Sequence, residues 1–424
     1  MDDFFGTIDQ LGIIEISFVF IFFFVDLYLI IWKRVKALLF LLVMSATFSG
    51  FVVTQIDAGF TILRYLCIFS LFIIGLINVN KLKLSLPIVF FWLYIFTGIL
   101  FLFMASNPAW QLQRSFLLAI TALAIPLALS PLVKELKGIN QILLTISRAS
   151  IPFSLLSLFF LPNNIESIGR YSGFLTGAPN YALIAGTIAL FLLWGVFNAP
   201  KRFERIVLAV SFFSTFISLL FCAQRTGVFA AMTGLLLYIA YKLRKGFVKS
   251  AFWIGIAILF LGIFMFYYVP IEKVDFMTAR YQSSNLTNRN IIWNSVLQMI
   301  RENPLIGHGI GAAEQVISSS FHNAYLEVWF NTGLSGLIFF VFSQIWLIVT
   351  SIILVIKSRS AQISEDVCLS LGFIFGFIIM SSFESYGAGA SNVGIIIYLV
   401  IMIILSGLAI NEKNSYHSSE RIDD

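Results

Sequence analysis

The sequence predicts an all-α membrane protein, a polytopic bundle of about 12 to 13 transmembrane helices with a short helical segment on one face. Three observations carry this. Of the 424 residues, 59% are hydrophobic and only 11% charged, with 46 Phe, whereas a soluble domain needs roughly a quarter charged residues to cover its exterior. The apolar runs reach the roughly 20 residues that cross a bilayer and lack period-2 alternation. Lipid offers backbone polar groups no partner, so such runs satisfy themselves as helices. Finally, Lys and Arg recur in every second connection, the pattern of cytoplasmic loops.

Taken in order, the chain opens on MDDFFGTIDQ, acidic and leading into an apolar run without a small-residue cleavage site, the wrong polarity for a signal peptide. Apolar runs place helices over 11–32, 37–55, 59–79, 84–104, 116–133, 141–162, 180–198, 206–222, 226–243, 250–269, 333–356, 367–383 and 392–410. The first contains Glu15 and Asp26; if it lies flat, one span is lost and the remaining topology is unchanged. Basic connections follow alternate spans, at Lys33, Arg34 and Lys36, Lys81 and Lys83, Lys134 and Lys137, Lys201, Arg202 and Arg205, Lys242, Arg244, Lys245 and Lys249, and Lys357 and Arg359, with Lys413 and Arg421 in the tail. The amino terminus is therefore expected outside and the carboxyl terminus inside. The chain divides into helices 1–10 (1–269), an outer helical segment (270–332), helices 11–13 (333–410) and a cytoplasmic tail (411–424). Cys67, Cys222 and Cys368 lie in or beside apolar runs without metal or redox spacing and read as small packing residues.

The remaining cations are Arg64, Arg114, Arg148, Arg170, Arg225, Lys273, Arg280, Arg289 and Arg301, all but one of them Arg, on the outer side or within the membrane. Positive charge there opposes the topogenic bias and is costly to desolvate. Such Arg can pair with acids such as Glu15, Asp57, Glu166 or Glu384, or reach headgroups, as Arg148 near the inner end of its span can. Taken together they are better explained by an outward cavity for a phosphorylated ligand, because the planar guanidinium fork suits phosphate. Arg64, Arg114, Arg170 and Arg280 are the substrate-binding candidates of this kind.

The 270–332 segment is the one long stretch that is neither uniformly apolar nor a simple connector. Thr287 or Asn288 can cap a helix running to Asn303, with Ile292, Val296, Met299 and Ile300 on one face. Pro304 and the Gly307-His308-Gly309-Ile310-Gly311 turn reverse the chain, and a second helix is expected from near Ser320 to Gly333. Arg289 and His322 then each fall in the first turn of a helix, which favours an anion near Arg289 and depresses the pKa of His322. A neutral imidazole can accept a proton. His308 is the competing base, Glu327 a possible second acid or base, and His417 lies in the polar tail.

Four motifs on the outer side, GRYSGFLTGAPN, QRTG, NRNIIW…ENPLIGHGIG and HNAYLEVWFNTGLSGL, together resemble the O-antigen polymerase and O-antigen ligase superfamily of bacterial surface-polysaccharide assembly. The resemblance covers the larger, C-terminal part of the chain; the remainder agrees only in character. It implies a glycosyltransferase of the bacterial inner membrane whose donor and acceptor meet on the periplasmic face, the donor being a glycan on undecaprenyl pyrophosphate. It further implies that Arg225 and Arg289 hold the pyrophosphate, that His322 is general base on the acceptor hydroxyl and that Asn323 orients it or the sugar. No metal or nucleotide cofactor is implied, and no DxD-like pair, His/Cys ligand cluster or P-loop appears on the outer side. The partners implied are the bilayer and, in the same pathway, a flippase and a chain-length regulator; nucleic acid is not among them.

Within that superfamily, the compact outer segment and a composition rich in Phe, Ile, Lys and Asn favour a polymerase over a ligase that transfers the glycan to lipid A core. A secondary transporter or flippase for an anionic lipid or solute is the reading from another class. It would call for internal repeats with interrupted helices at mid-membrane in both halves, and the sequence shows polar residues gathered on one face instead.

Overall fold

The computed structural model describes residues 21, 24–32, 34–82, 84–160, 171–222, 224–243, 287–316, 321–358, 360–389 and 391–420. The expected helix over 250–269, most of that over 11–32, and Arg170 and Arg280 lie outside these residues. The described chain is a helical bundle without a β-sheet, and ten of its segments are long and apolar enough to cross a membrane. In chain order the helices are α1 (Val35–Thr47), α2 (Thr54–Ile77), α3 (Leu86–Leu100), α4 (Pro108–Leu129), α5 (Leu136–Ala149), α6 (Ile151–Phe160), α7 (Ala178–Asn198), α8 (Arg202–Phe221), α9 (Arg225–Leu243), α10 (Thr287–Glu302), α11 (Ala313–Val316), α12 (Ala324–Lys357), α13 (Ala361–Phe383) and α14 (Val393–Glu420).

Burial follows the sequence pattern. From Val393 to Leu405 α14 is apolar on almost every side, which suits a helix enclosed by others, and it is buried throughout that stretch. Along α12, Ile338, Phe342, Ile345, Trp346, Val349, Ile352, Ile353 and Ile356 are exposed, the composition of a face turned to lipid. Between α9 and α13 the backbones approach through Gly234 and Gly372, where a Cβ on Gly234 would stand 3.0 Å from the Gly372 carbonyl oxygen. Small residues at a helix crossing permit this. The start of α9 is thereby carried to the end of α13.

Two differences in extent from expectation bear on the site. The helix expected at 37–55 is only the 13-residue α1, Val35–Thr47, about 20 Å of helix against a hydrocarbon core of about 30 Å. The chain turns at Gly50, whose φ of +84° is cheap for glycine alone. Asp57 Oδ1 accepts from the Gly50 amide at 2.6 Å, and Phe51 bridges antiparallel to Leu175. Apolar residues after Thr47 therefore form a turn wall, not a helix. The run expected at 116–133 begins earlier, because Asn107 accepts from the Trp110 amide at 3.3 Å and Pro108 supplies a preformed first turn.

The bundle has two unlike ends. The ends of α1 and α13 and the starts of α7, α9, α12 and α14 meet at one. At the other stand Lys36, Lys81, Lys134 and Lys242, with Lys81 and Lys134 lining one pocket beside the late turns of α14.

Candidate active site

Glu384 is the hub of the first end. Following α13 in extended conformation, it is 4% exposed. A carboxylate so buried needs every lone pair occupied. Oε1 accepts from Arg289 Nη2 at 2.6 Å and from Gln224 Nε2 at 2.9 Å, while Oε2 faces His322 Nδ1 at 2.8 Å. Arg289 Nη1 also donates to the Phe383 carbonyl at 2.9 Å. Where Glu384 accepts, His322 Nδ1 donates this contact, and in a neutral imidazole Nε2 is then the acceptor nitrogen.

Each partner reaches Glu384 for a local reason. Gln224 lies just ahead of α9, and Arg289 is the third residue of α10. Val296 and Ile300 anchor α10 on Ala312, Ala313, Phe321 and Phe330, and Trp293 Nε1 donates to the Phe321 carbonyl at 2.9 Å. His322 itself has φ +53°, the one non-glycine in the left-handed region among the described residues, a conformation that persists where surroundings over-determine it. It does not sit in the first helical turn as expected. Asn323 is the cap of α12, its Oδ1 accepting from the amides of Tyr325 at 2.9 Å and Leu326 at 3.0 Å, so His322 precedes the helix and is oriented by Glu384 instead.

Below the site α12 breaks at Gly333, with φ +64° and ψ −177°. The break frees the carbonyls of Phe330 and Asn331, and the glycine-rich turn supplies donors. The amides of His308 and Gly309 bond them at 3.1 and 2.8 Å, and the Leu334 amide bonds the Pro304 carbonyl at 3.1 Å. A Cβ at Gly333 would collide with the Leu305 carbonyl, so the close approach requires glycine. His308 belongs to this junction: its ring stacks on Phe330 at 4.3 Å, and Nδ1 lies 3.1 Å from the Phe330 carbonyl.

The other sequence candidates are dispersed. Arg225 opens α9 beside Gln224 and is exposed. Arg114 pairs with Glu314 of α11 at 2.8 Å and lies 4.3 Å over the Trp110 ring, pinning the glycine-rich turn to α4. Arg64 is 7% exposed and donates to Ser49 Oγ at 3.0 Å. Arg148 pairs with Glu204 at 2.7 Å. Glu327 is buried near Ser385, neither a cap nor solvated. The central place of Glu384 escaped sequence reasoning, which counted it only among acids able to neutralise an outer Arg. The available signal was its position: a lone acid ending an apolar run just before SYGAG.

His322 and Glu384 border a cavity of about 490 Å³, lined also by Ser49 and Gly50 after α1, Asn180 of α7, Ser385, Tyr386 and Asn392. That size lies within the roughly 300–1,000 Å³ of ligand sites. Among the described residues no group of three His, Cys, Asp or Glu side chains converges; the cations at this end are guanidinium groups.

Fold and site together define a polytopic helical membrane protein with a polar, His- and Arg-bearing site at one end of its bundle. Residues 210–341, from α8 into α12, match the family model described as O-antigen ligase. The matched stretch contains Gln224, Arg225, Arg289 and His322, whereas Glu384 lies beyond it. A Haemophilus influenzae protein described as uncharacterized is 30% identical over 148 residues, 31% of this chain and 36% of that one. The chain thus spans about a third of the length of the curated relative it matches.

Proposed function

We propose that the protein is a membrane glycosyltransferase that polymerises oligosaccharide repeats carried on undecaprenyl pyrophosphate, at the periplasmic face of the bacterial inner membrane. The observation that carries the proposal is the His322–Glu384–Arg289 constellation, of which His322 and Glu384 border the cavity. His322 Nε2 takes the proton of an acceptor sugar hydroxyl as that oxygen bonds to the anomeric carbon of the donor glycan. The bond from that carbon to the pyrophosphate oxygen breaks, and its electron pair leaves with the pyrophosphate. Guanidinium groups offset the developing charge, as Arg225 and the donors of Arg289 not engaged by Glu384 and Phe383 can. Glu384 fixes the imidazole tautomer and balances the imidazolium that forms.

Orientation has its own support. The Lys-bearing end of the bundle lies opposite the site, which the positive-inside rule assigns to the cytoplasm. A chain-length regulator and a flippase would act beside this enzyme. The polymerase reading rests on composition and the compact outer segment, and ligase is the alternative.

The test is an electrophoretic profile of surface polysaccharide from a strain lacking the gene, complemented with the wild type or His322→Ala. Loss of the ladder with one repeat left on the lipid core supports polymerase. Loss of all glycan from the core, with long lipid-linked chains accumulating, assigns ligase. An unchanged profile removes the glycosyltransferase reading and returns the anion transporter.

A further inference from the structure

We infer that the cavity beside His322 is the subsite for the acceptor sugar, and that Ser49 and Asn180 read its hydroxyl groups. The inference rests on the glycan-transfer reading above and assigns each substrate a place within it. A general base must lie within hydrogen-bond reach of the proton it removes, so the acceptor sugar belongs in the space that His322 borders.

The chemistry of the lining agrees. Besides Glu384 and His322, the polar side chains facing the cavity among the described residues are uncharged hydroxyls and carboxamides, Ser49, Ser385, Tyr386, Asn180 and Asn392, and no described Arg or Lys lines it. Neutral donors and acceptors among small residues suit a sugar ring, whereas a pyrophosphate calls for cations. Arg225 and Arg289, which supply them, are outside this lining.

Two of the five have capacity for a ligand. Asn392 is engaged, its Oδ1 capping α14 through the Ile395 amide at 2.9 Å and its Nδ2 donating to the Tyr386 carbonyl at 2.8 Å. The Tyr386 hydroxyl is paired with Thr187 at 2.8 Å. Ser385 takes part in the contact with Glu327. Ser49 Oγ accepts from the buried Arg64, and a hydroxyl that accepts there has its own proton to donate elsewhere. Arg64 therefore acts from behind the wall, turning Ser49 into a donor toward the cavity. Asn180, exposed on the first turn of α7, has no hydrogen-bond partner among the described residues, and its carboxamide offers both a donor and an acceptor to neighbouring hydroxyls. Its Nδ2 stands 3.9 Å from the point a Cβ would occupy on Gly50, so the absent side chain keeps this wall open.

The experiment uses the purified full chain in detergent, with methyl glucoside, methyl galactoside and methyl mannoside as sugar probes and inorganic pyrophosphate as the anion probe, binding read by saturation-transfer NMR. At least one glycoside should bind the wild type. Ser49→Ala and Asn180→Ala should weaken it about five- to tenfold each, as expected for loss of a neutral hydrogen bond, and leave pyrophosphate binding unchanged. Asn180→Asp keeps the shape and removes the donor; with an unchanged melting temperature it should weaken the glycoside as well, which separates lost contact from misfolding. Equal glycoside binding in all variants, no glycoside binding to the wild type, or loss of pyrophosphate binding in Ser49→Ala would each overturn the inference. In a transfer assay the same variants should raise the acceptor KM and leave the donor KM unchanged. Glycoside binding that obeys these rules in a protein without transfer activity would leave the sugar site standing and remove the enzymatic reading.

Discussion

Helix α13 carries a clamped carboxylate at each end, and the two clamps differ in one respect that separates structure from chemistry. Near its start, Glu365 Oε1 accepts from Asn198 Nδ2 and the Tyr238 hydroxyl, each at 2.8 Å, and pairs with Lys242. Just past its end, Glu384 holds Gln224, Arg289 and His322. α7 and α9 end at the first clamp and begin near the second, whose partners come from Gln224 just ahead of α9, from α10 and from the residue before the cap of α12. The Glu365 clamp joins α7, α9 and α13. The Glu384 clamp includes an imidazole, the side chain most often used as a general base, and both His322 and Glu384 border a cavity. A buried ion pair is by itself weak evidence of function. It becomes a candidate site when it includes such a group and faces space.

The sharpest way to break this comparison is to remove the charge at each end in turn. Glu384→Gln preserves shape but cannot balance an imidazolium, and transfer should fall about 100- to 10,000-fold, the range of a lost general base. His322→Ala should cost as much. Because the two act as one unit, the double variant should be no worse than the worse single, as read from initial rates on purified protein. Glu365→Gln should leave the rate within about threefold while lowering the melting temperature, since it loosens packing alone. A rate loss at Glu365 equal to that at Glu384 would abolish the distinction.

A smaller effect is expected at Arg289, which holds the clamp and, in the proposed mechanism, also faces the leaving group. Arg289→Ala should lower the rate on the order of 100-fold, the cost of a lost charge-stabilising contact. Arg289→Lys restores the charge, but a lysine cannot reach Glu384 and the Phe383 carbonyl with one planar fork, so recovery should be partial. Full recovery in a transfer assay would show that charge alone matters at this position.

The helical membrane class was legible because apolar runs and alternating basic connections are local signals. His322 and Arg289, which meet at Glu384, stood out in the sequence as polar residues on the outer side. Pairing was not legible. His322 meets Glu384 across 62 positions and Arg289 meets it across 95, and periodicity carries no information at that range. A boundary at Gly333 was expected from the sequence, but its cause was hidden, since a glycine in an apolar run also suits ordinary helix packing. Only the second strand of contacts, from the Gly307–Gly311 turn, shows why the helix parts there. Apolar composition also misled at residues 48–53, where Asp57 and Leu175 capture the backbone before a helix can continue.

Asn323 gives the smallest and most discriminating effect. The family resemblance implied that it orients the acceptor or the sugar, whereas its Oδ1 is engaged by the amides of Tyr325 and Leu326. A cap of this kind contributes about 1 kcal/mol, and its loss would loosen the first turn of α12 and with it the left-handed backbone of His322. Asn323→Asp keeps the acceptor oxygen and adds a negative charge at a helix start, where the dipole favours it, but lacks the amide donor that a sugar contact would use. If capping is its role, Asn323→Ala should lower the melting temperature and reduce transfer severalfold with acceptor KM unchanged, and Asn323→Asp should retain both near wild type. If the amide contacts substrate, the stability order is the same but Asn323→Asp raises the acceptor KM. The two roles thus part on a single kinetic constant, measured on a variant that keeps the helix intact.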